Sequence, residues 1–187
     1  FNGVTMALSP ITSQLRGAGR TAEVGRQIRQ GLWLCLASST ILIFILLNAS
    51  FLFRFAEIDP NVSRIASEYL EAVSWGIPPV ILYVALRHTA EGMGLTRPPM
   101  LIAGSVLPLN ALLNYALVYG NLGAPELGGV GCGWATAIVF WVELGLMVFV
   151  VRLRQFRATN TFAEFNAPSL SVIWDILKLG IPIGISI

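Results

Sequence analysis

The chain is 187 residues long, 55% of them hydrophobic and 12% charged, with a mean hydropathy of +0.72, whereas soluble domains carry about 25% charge. That composition excludes a water-soluble globule. The net charge of +2 says less than where the charges sit, because they cluster and leave uncharged stretches of the length a bilayer requires.

Taken in chain order, residues 1–12 read as the end of one span and residues 13–30 as an arginine-rich loop. Residues 31–53 contain no charge and supply the roughly 20 apolar residues that cross the hydrocarbon as a helix. The next span is predicted to begin near Ala66 and run to Leu86, with Glu68 and Glu71 in the headgroup region and Tyr69 and Trp75 at the interface. Residues 98–119 are uncharged, and residues 127–151 are interrupted by Glu143 alone. Residues 174–187 open a further span. The expectation is four complete helices between two truncated ones, in a chain that starts at Phe1, ends inside an apolar run and so reads as a piece of a longer protein. No signal peptide is visible at its start.

Ten of the twelve Lys and Arg fall on alternate connections, at 13–30, 87–98 and 152–173 with Lys178 just beyond. Basic residues in short loops resist translocation, which makes that side cytoplasmic and the protein a multi-pass membrane one. Short connections require consecutive helices to be antiparallel neighbours in a polytopic, all-α transmembrane bundle. Pro78, Pro79, Pro108 and Pro182 lie within spans, where each removes a backbone donor and is predicted to kink or unwind its helix. The freed backbone must then be satisfied by protein or by cavity water, a modest pointer to a transporter or channel.

Few residues in these spans carry chemistry. Asn110 and Asn114 are four apart, which places their amides one above the other on one helix face. Such a pair suits cation coordination or a hydrogen bond to a carboxyl on another helix, and it equally suits interhelical packing. Spacing alone leaves both open. Glu143 is the one carboxylate deep inside a span, so it must face the bundle interior or be protonated, as a proton or cation site or as a cavity-facing acid. Glu91 and Arg87 are one helical turn apart and are predicted to form a local ion pair. Cys35 and Cys132 have neither metal-ligand spacing nor a redox partner, and read as small buried hydrophobes. The run from Gly128 to Gly133 lacks both the preceding strand and the following Lys-Ser/Thr of a phosphate loop, so no nucleotide or nucleic-acid partner is expected. Gly129 and Gly133 instead have the spacing that lets two membrane helices approach closely. One histidine, His88, without a metal cluster or nucleophile motif leaves a membrane-embedded enzyme little support.

Several of these residues recur as motifs: Gln14 to Arg20 (QLRGAGR), Gln30-Gly31, Glu91-Gly92-Met93 with Thr96 and Pro98, Leu109-Asn110 to Asn114, the Tyr119 to Gly133 segment, Ala135-Thr136 and Gly180-Ile181-Pro182. In this order they resemble the multidrug and toxic compound extrusion family, in particular its bacterial NorM-like branch. The resemblance implies a twelve-helix secondary antiporter of two bundles that exports small organic cations and drugs in exchange for Na⁺ or H⁺, with no other cofactor. It implies that residues 1–173 hold the end of helix 2, helices 3 to 6 and a cytoplasmic linker of the N-terminal bundle, and that residues 174–187 begin helix 7 of the C-terminal bundle. The first helix, where the family places a key aspartate, and most of the second bundle would be partners outside this stretch, with lipid around them. Asn110 and Asn114 match the polar pair beside that aspartate, and the resemblance makes them the cation or proton site. Glu91 stands where relatives often have Asp, and Glu143 matches no family acid. A lipid-linked oligosaccharide flippase of the same broad superfamily is the nearest rival, but it would be expected to line its cavity with basic groups that these spans lack.

Overall fold

Inside hydrocarbon every backbone N–H and C=O must be paired within the chain, so uncharged stretches of this length become helices. The computed structural model describes residues 2–49, 59–152 and 167–185. Within them lie α1 (Asn2–Gly17), α2 (Thr21–Leu47), α3 (Pro60–Ser74), α4 (Ile77–Gly92), α5 (Arg97–Tyr119), α6 (Gly129–Arg152) and α7 (Leu170–Ile185). Helices α2, α5 and α6 are each long and apolar enough to cross a bilayer, and α3 with α4 makes a fourth span bent by 41°. That matches the four complete spans read from the sequence. Arg54, Arg154 and Arg157 lie outside the described residues.

The boundaries differ in instructive ways. Residues 13–30 are not one loop: α1 runs on to Gly17 and α2 starts at Thr21, so Arg16, Arg26 and Arg29 are helical. Arginine is a good helix former whose long stem reaches out to water, so charge marks the edge of the hydrocarbon and not the end of the helix. Likewise α3 begins at Pro60 and not near Ala66, because the Asp59 carboxylate accepts the Asn61 N–H at 2.8 Å and caps the helix. Trp75 therefore sits at the end of α3, away from any interfacial start. Helix α7 begins at Leu170, ahead of the expected Trp174.

Of the spans with internal proline, one is interrupted. In a continuous helix the carbonyls of Ser74 and Trp75 would accept from the nitrogens of Pro78 and Pro79, which carry no hydrogen. The chain breaks at Trp75 and Gly76, the prolines take the first turn of α4, and the Trp141 indole of α6 donates to the Trp75 carbonyl at 3.2 Å. Pro108 and Pro182, expected to disrupt their helices too, lie inside unbroken ones.

Helix α4 is the centre of the bundle, packing on α1, α2 and α6, while α5 leans mainly on α6 and α7 on α1. One core cluster joins Val24 and Ile28 of α2 with Tyr83, Leu86 and Ala90 of α4, Ile102 and Val106 of α5, and Met147 of α6. A second joins Leu8, Cys35, Ile81, Ala85 and Ile176. Because lipid tails are as apolar as these side chains, the helices associate through close packing and hydrogen bonds and not by escaping water. Glycine sets the closest approaches. A Cβ on Gly131 would strike the Leu117 carbonyl of α5, and one on Gly133 would press on Ala72 and Tyr69 of α3. A Cβ on Gly129 would meet nothing within 4 Å, so of the expected Gly129 and Gly133 only Gly133 marks a close approach, and Gly131 marks a second one, to a different helix.

The turn that closes α1 has Gly19 at φ +74° and the turn that closes α4 has Gly94 at φ +70°, each with a backward bond, Arg20 N–H to Leu15 O at 2.9 Å and Leu95 N–H to Ala90 O at 2.8 Å. The Arg16 guanidinium donates to the Met93 carbonyl, joining the two turns and placing positive charge at the C-terminal end of α4. Replacing Arg16 by Gln is expected to cost about 0.5–1 kcal/mol, read as a fall of a few degrees in the Tm of the detergent-solubilised protein.

Candidate functional site

Asn110 and Asn114 come together as their spacing requires. Both are half-buried on α5; the Asn114 side-chain nitrogen donates to the Asn110 main-chain oxygen at 2.9 Å and also to the Asn110 side-chain oxygen. The residues of α5 that bury against the bundle are Pro99, Ile102, Val106 and Ala116, and at 100° per residue the two asparagines fall on the flank of that seam. Among the described residues α5 has α6 as its main neighbour, and no hydrogen bond ties the asparagine flank to another helix. Among the described residues the pair is bonded to itself alone, with the Asn110 amide donors and the Asn114 carbonyl oxygen still to be satisfied. In hydrocarbon that is costly, and a cation, a carboxyl or another helix relieves it.

The two carboxylates lie elsewhere. Glu91 is held at the last turn of α4 by Arg87 at 2.8 Å and by His88 Nδ1 at 3.1 Å, the local ion pair predicted from the sequence with His88 added to it. Glu143 is half-buried on α6 and interacts electrostatically with Tyr83 and Arg87 of α4. Arg87 is paired directly with Glu91 and acts on Glu143 only through its field. Among the described residues no hydrogen bond or ion pair joins this group to the asparagine pair.

Tyr83 is a residue that sequence reasoning missed. Its side chain is 4% exposed and its hydroxyl is buried without a hydrogen-bond partner among the described residues. A tyrosine in an apolar stretch reads as an interfacial anchor, and nothing local signals that Glu143, sixty positions on, will act on it electrostatically. An apolar groove of about 470 Å³ lies along Val62, Ile65, Ala66 and Tyr69 of α3 and Gly129. With no charged group in its wall it has nothing to hold an ion.

Comparison with known proteins agrees with this architecture. The MatE family model matches residues 1–116. The multidrug resistance protein NorM of Aliivibrio fischeri is 39% identical over 186 residues, covering 99% of this chain and 40% of that protein. The multidrug resistance protein MdtK of Klebsiella pneumoniae is 37% identical over 188 residues, covering 100% of this chain and 41% of that one. The crystal structure of MATE in complex with MaD3S matches with a TM-score of 0.85 over 99% of this chain and 41% of its own, at 20% identity, a likeness of fold alone. The chain thus spans about 40% of the length of the relatives it matches. With the ordered loop motifs, four spans and a family match over more than half its length, this polytopic membrane chain belongs to the MatE family, the multidrug and toxic compound extrusion transporters.

Proposed function

We propose that the whole protein is a secondary active antiporter that exports small organic cations and drugs across the inner membrane in exchange for Na⁺ or H⁺. The observation that carries this reading is the 39% identity to a multidrug resistance NorM protein, sustained over 99% of the chain. The part of the chain ahead of α7 then belongs to the N-terminal bundle, and α7, which starts at Leu170, opens helix 7. The basic connections are cytoplasmic. In support, the ends of α1 and α4 meet through Arg16 and Met93, which sets Arg16, Arg20, Arg87 and Arg97 close to one end of the bundle.

Asn110 and Asn114 are the proposed cation or proton site. The asparagine flank of α5 is where a helix preceding α1 would bring its carboxylate, and the unsatisfied amide atoms are of the kind that bind a carboxyl or a monovalent cation. Glu91 and Glu143 are weaker candidates. Glu91 is already paired with Arg87 and in hydrogen-bond contact with His88, and Glu143 feels the positive charge of Arg87.

The test is uptake of ethidium, a fluorescent organic cation, into inverted membrane vesicles holding the full-length protein. Transport driven by an imposed Na⁺ or H⁺ gradient is expected. No movement of ethidium under either gradient would reject the reading.

A further inference from the structure

Gln30 of α2 is 1% exposed, an unusual burial for a long amide. Its Nε2 donates to the Ala167 carbonyl at 3.0 Å, and its Oε1 accepts the Ser169 N–H at 2.6 Å. Both ends of one side chain are thus taken up by main chain more than 130 positions later, in the short stretch that leads into α7. Ser169 stands at the head of that helix, where its own carbonyl accepts the Ile173 N–H at 3.0 Å. Gln30 therefore satisfies a backbone N–H that the start of a helix otherwise leaves without a partner. A buried amide stripped of such partners pays its full desolvation penalty, so the pairing is strongly preferred once the segment is docked.

Two further contacts hold α7 beyond this point. Ile176 is fully buried among Leu8 of α1, Cys35 of α2, and Ile81 and Ala85 of α4. Farther along, the backbones around Gly3 and Gly180 approach so closely that a Cβ on either would collide with the backbone of the opposite helix. These contacts set how closely α7 approaches its neighbours, and neither includes a hydrogen bond to the entrance of the helix. The Gln30 contact is directional, since two hydrogen bonds to fixed main-chain atoms set both the height and the rotation of the helix entrance.

We propose that Gln30 is a positioning residue, fastening the entrance of α7 to α2 and giving the second bundle a fixed foothold on the first. Its consequence for transport rests on the antiporter reading above. Alternating access moves one bundle against the other around a central site, and such rocking needs a point of attachment that does not slip. Release of the clamp lets α7 change height while leaving the asparagine pair on α5 untouched, so it is expected to slow turnover without altering recognition.

The experiment uses the full-length protein in lipid vesicles, with Gln30→Met, which is close in volume and lacks both hydrogen-bonding ends, and Gln30→Glu, which keeps the acceptor for Ser169. Amide hydrogen exchange of the peptide containing Ser169 is measured beside ethidium transport. In Gln30→Met, exchange at Ser169 is expected to accelerate about tenfold or more, as for an opened helix end, and the maximal rate to fall about fivefold with an unchanged half-saturating concentration. Gln30→Glu is expected to keep most of the Ser169 protection and an intermediate rate. Wild-type exchange in Gln30→Met, or faster exchange with a wild-type maximal rate, overturns the proposal. If Gln30→Met yields no folded protein, a wild-type maximal rate in Gln30→Glu overturns it instead. Failure of the wild-type protein to move ethidium counts against the antiporter reading, and the exchange measurement still decides whether Gln30 fastens α7.

Discussion

Asn114→Leu in the full-length protein is expected to insert and purify as the wild type does and to lose gradient-driven ethidium transport by about tenfold or more, equivalent to about 1.4 kcal/mol in the transport barrier. The leucine side chain keeps roughly the same volume and removes both donor and acceptor. The lost bonds are those to Asn110 on the same helix, so among the described residues no interhelical hydrogen bond is lost. A purely structural amide contact in membrane proteins is worth about 0.6 kcal/mol on average, too little to account for such a loss of transport. Asn110→Leu is expected to behave alike, and the double variant to be little worse than either, because two amides serving one ligand are not additive. Both single variants transporting at the wild-type rate with unchanged Na⁺ and H⁺ dependence would make the pair structural and reject the site.

Gly131→Ala is expected to abolish most of the folded, monodisperse yield, although it adds one methyl group and improves helix propensity. The new Cβ falls against the carbonyl oxygen and carbon of Leu117, with the Val118 nitrogen 3.0 Å away. All three are backbone atoms of α5, which cannot turn aside as a flexible side chain does. Overpacking of this kind costs about 1–3 kcal/mol even where side chains can adjust, and here relief requires α5 to separate from the helix it mainly leans on. A Cβ on Gly145, also on α6, would meet no atom of a neighbouring helix within 4 Å. Gly145→Ala is therefore expected to leave the yield unchanged and to raise the Tm slightly, through the gain of up to about 1 kcal/mol in helix propensity. Size-exclusion profiles and thermal unfolding of the two variants side by side are the measurement. Equal behaviour would mean that the α5–α6 approach is looser than the structure has it.

The sequence by itself determined the number of complete spans, the all-helical class and the residues worth watching, because the bilayer imposes rules that are local in the chain. Span length is set by the hydrocarbon thickness, and internal hydrogen bonding leaves no option but helix. Asn110 with Asn114 and Arg87 with Glu91 were legible for the same reason, since a spacing of four brings side chains together on any helix. Charge could not show where helices end, and so α1 and α2 reach farther into the basic stretch at 13–30 than the hydrophobic pattern allows. Only the tertiary structure decided which proline breaks its helix: Pro78 and Pro79 are accommodated at the break because Gly76 lets α6 come close and Trp141 supplies the missing donor. It also decided that Glu143 of α6 acts electrostatically on Tyr83 and Arg87 of α4, that α5 rests mainly on α6 among the described residues, and that Gln30 grips the entrance of α7. Each of these joins residues far apart in the chain, and hydrophobic periodicity, which reports only which face of a helix avoids water, carries no information about which helix will stand opposite.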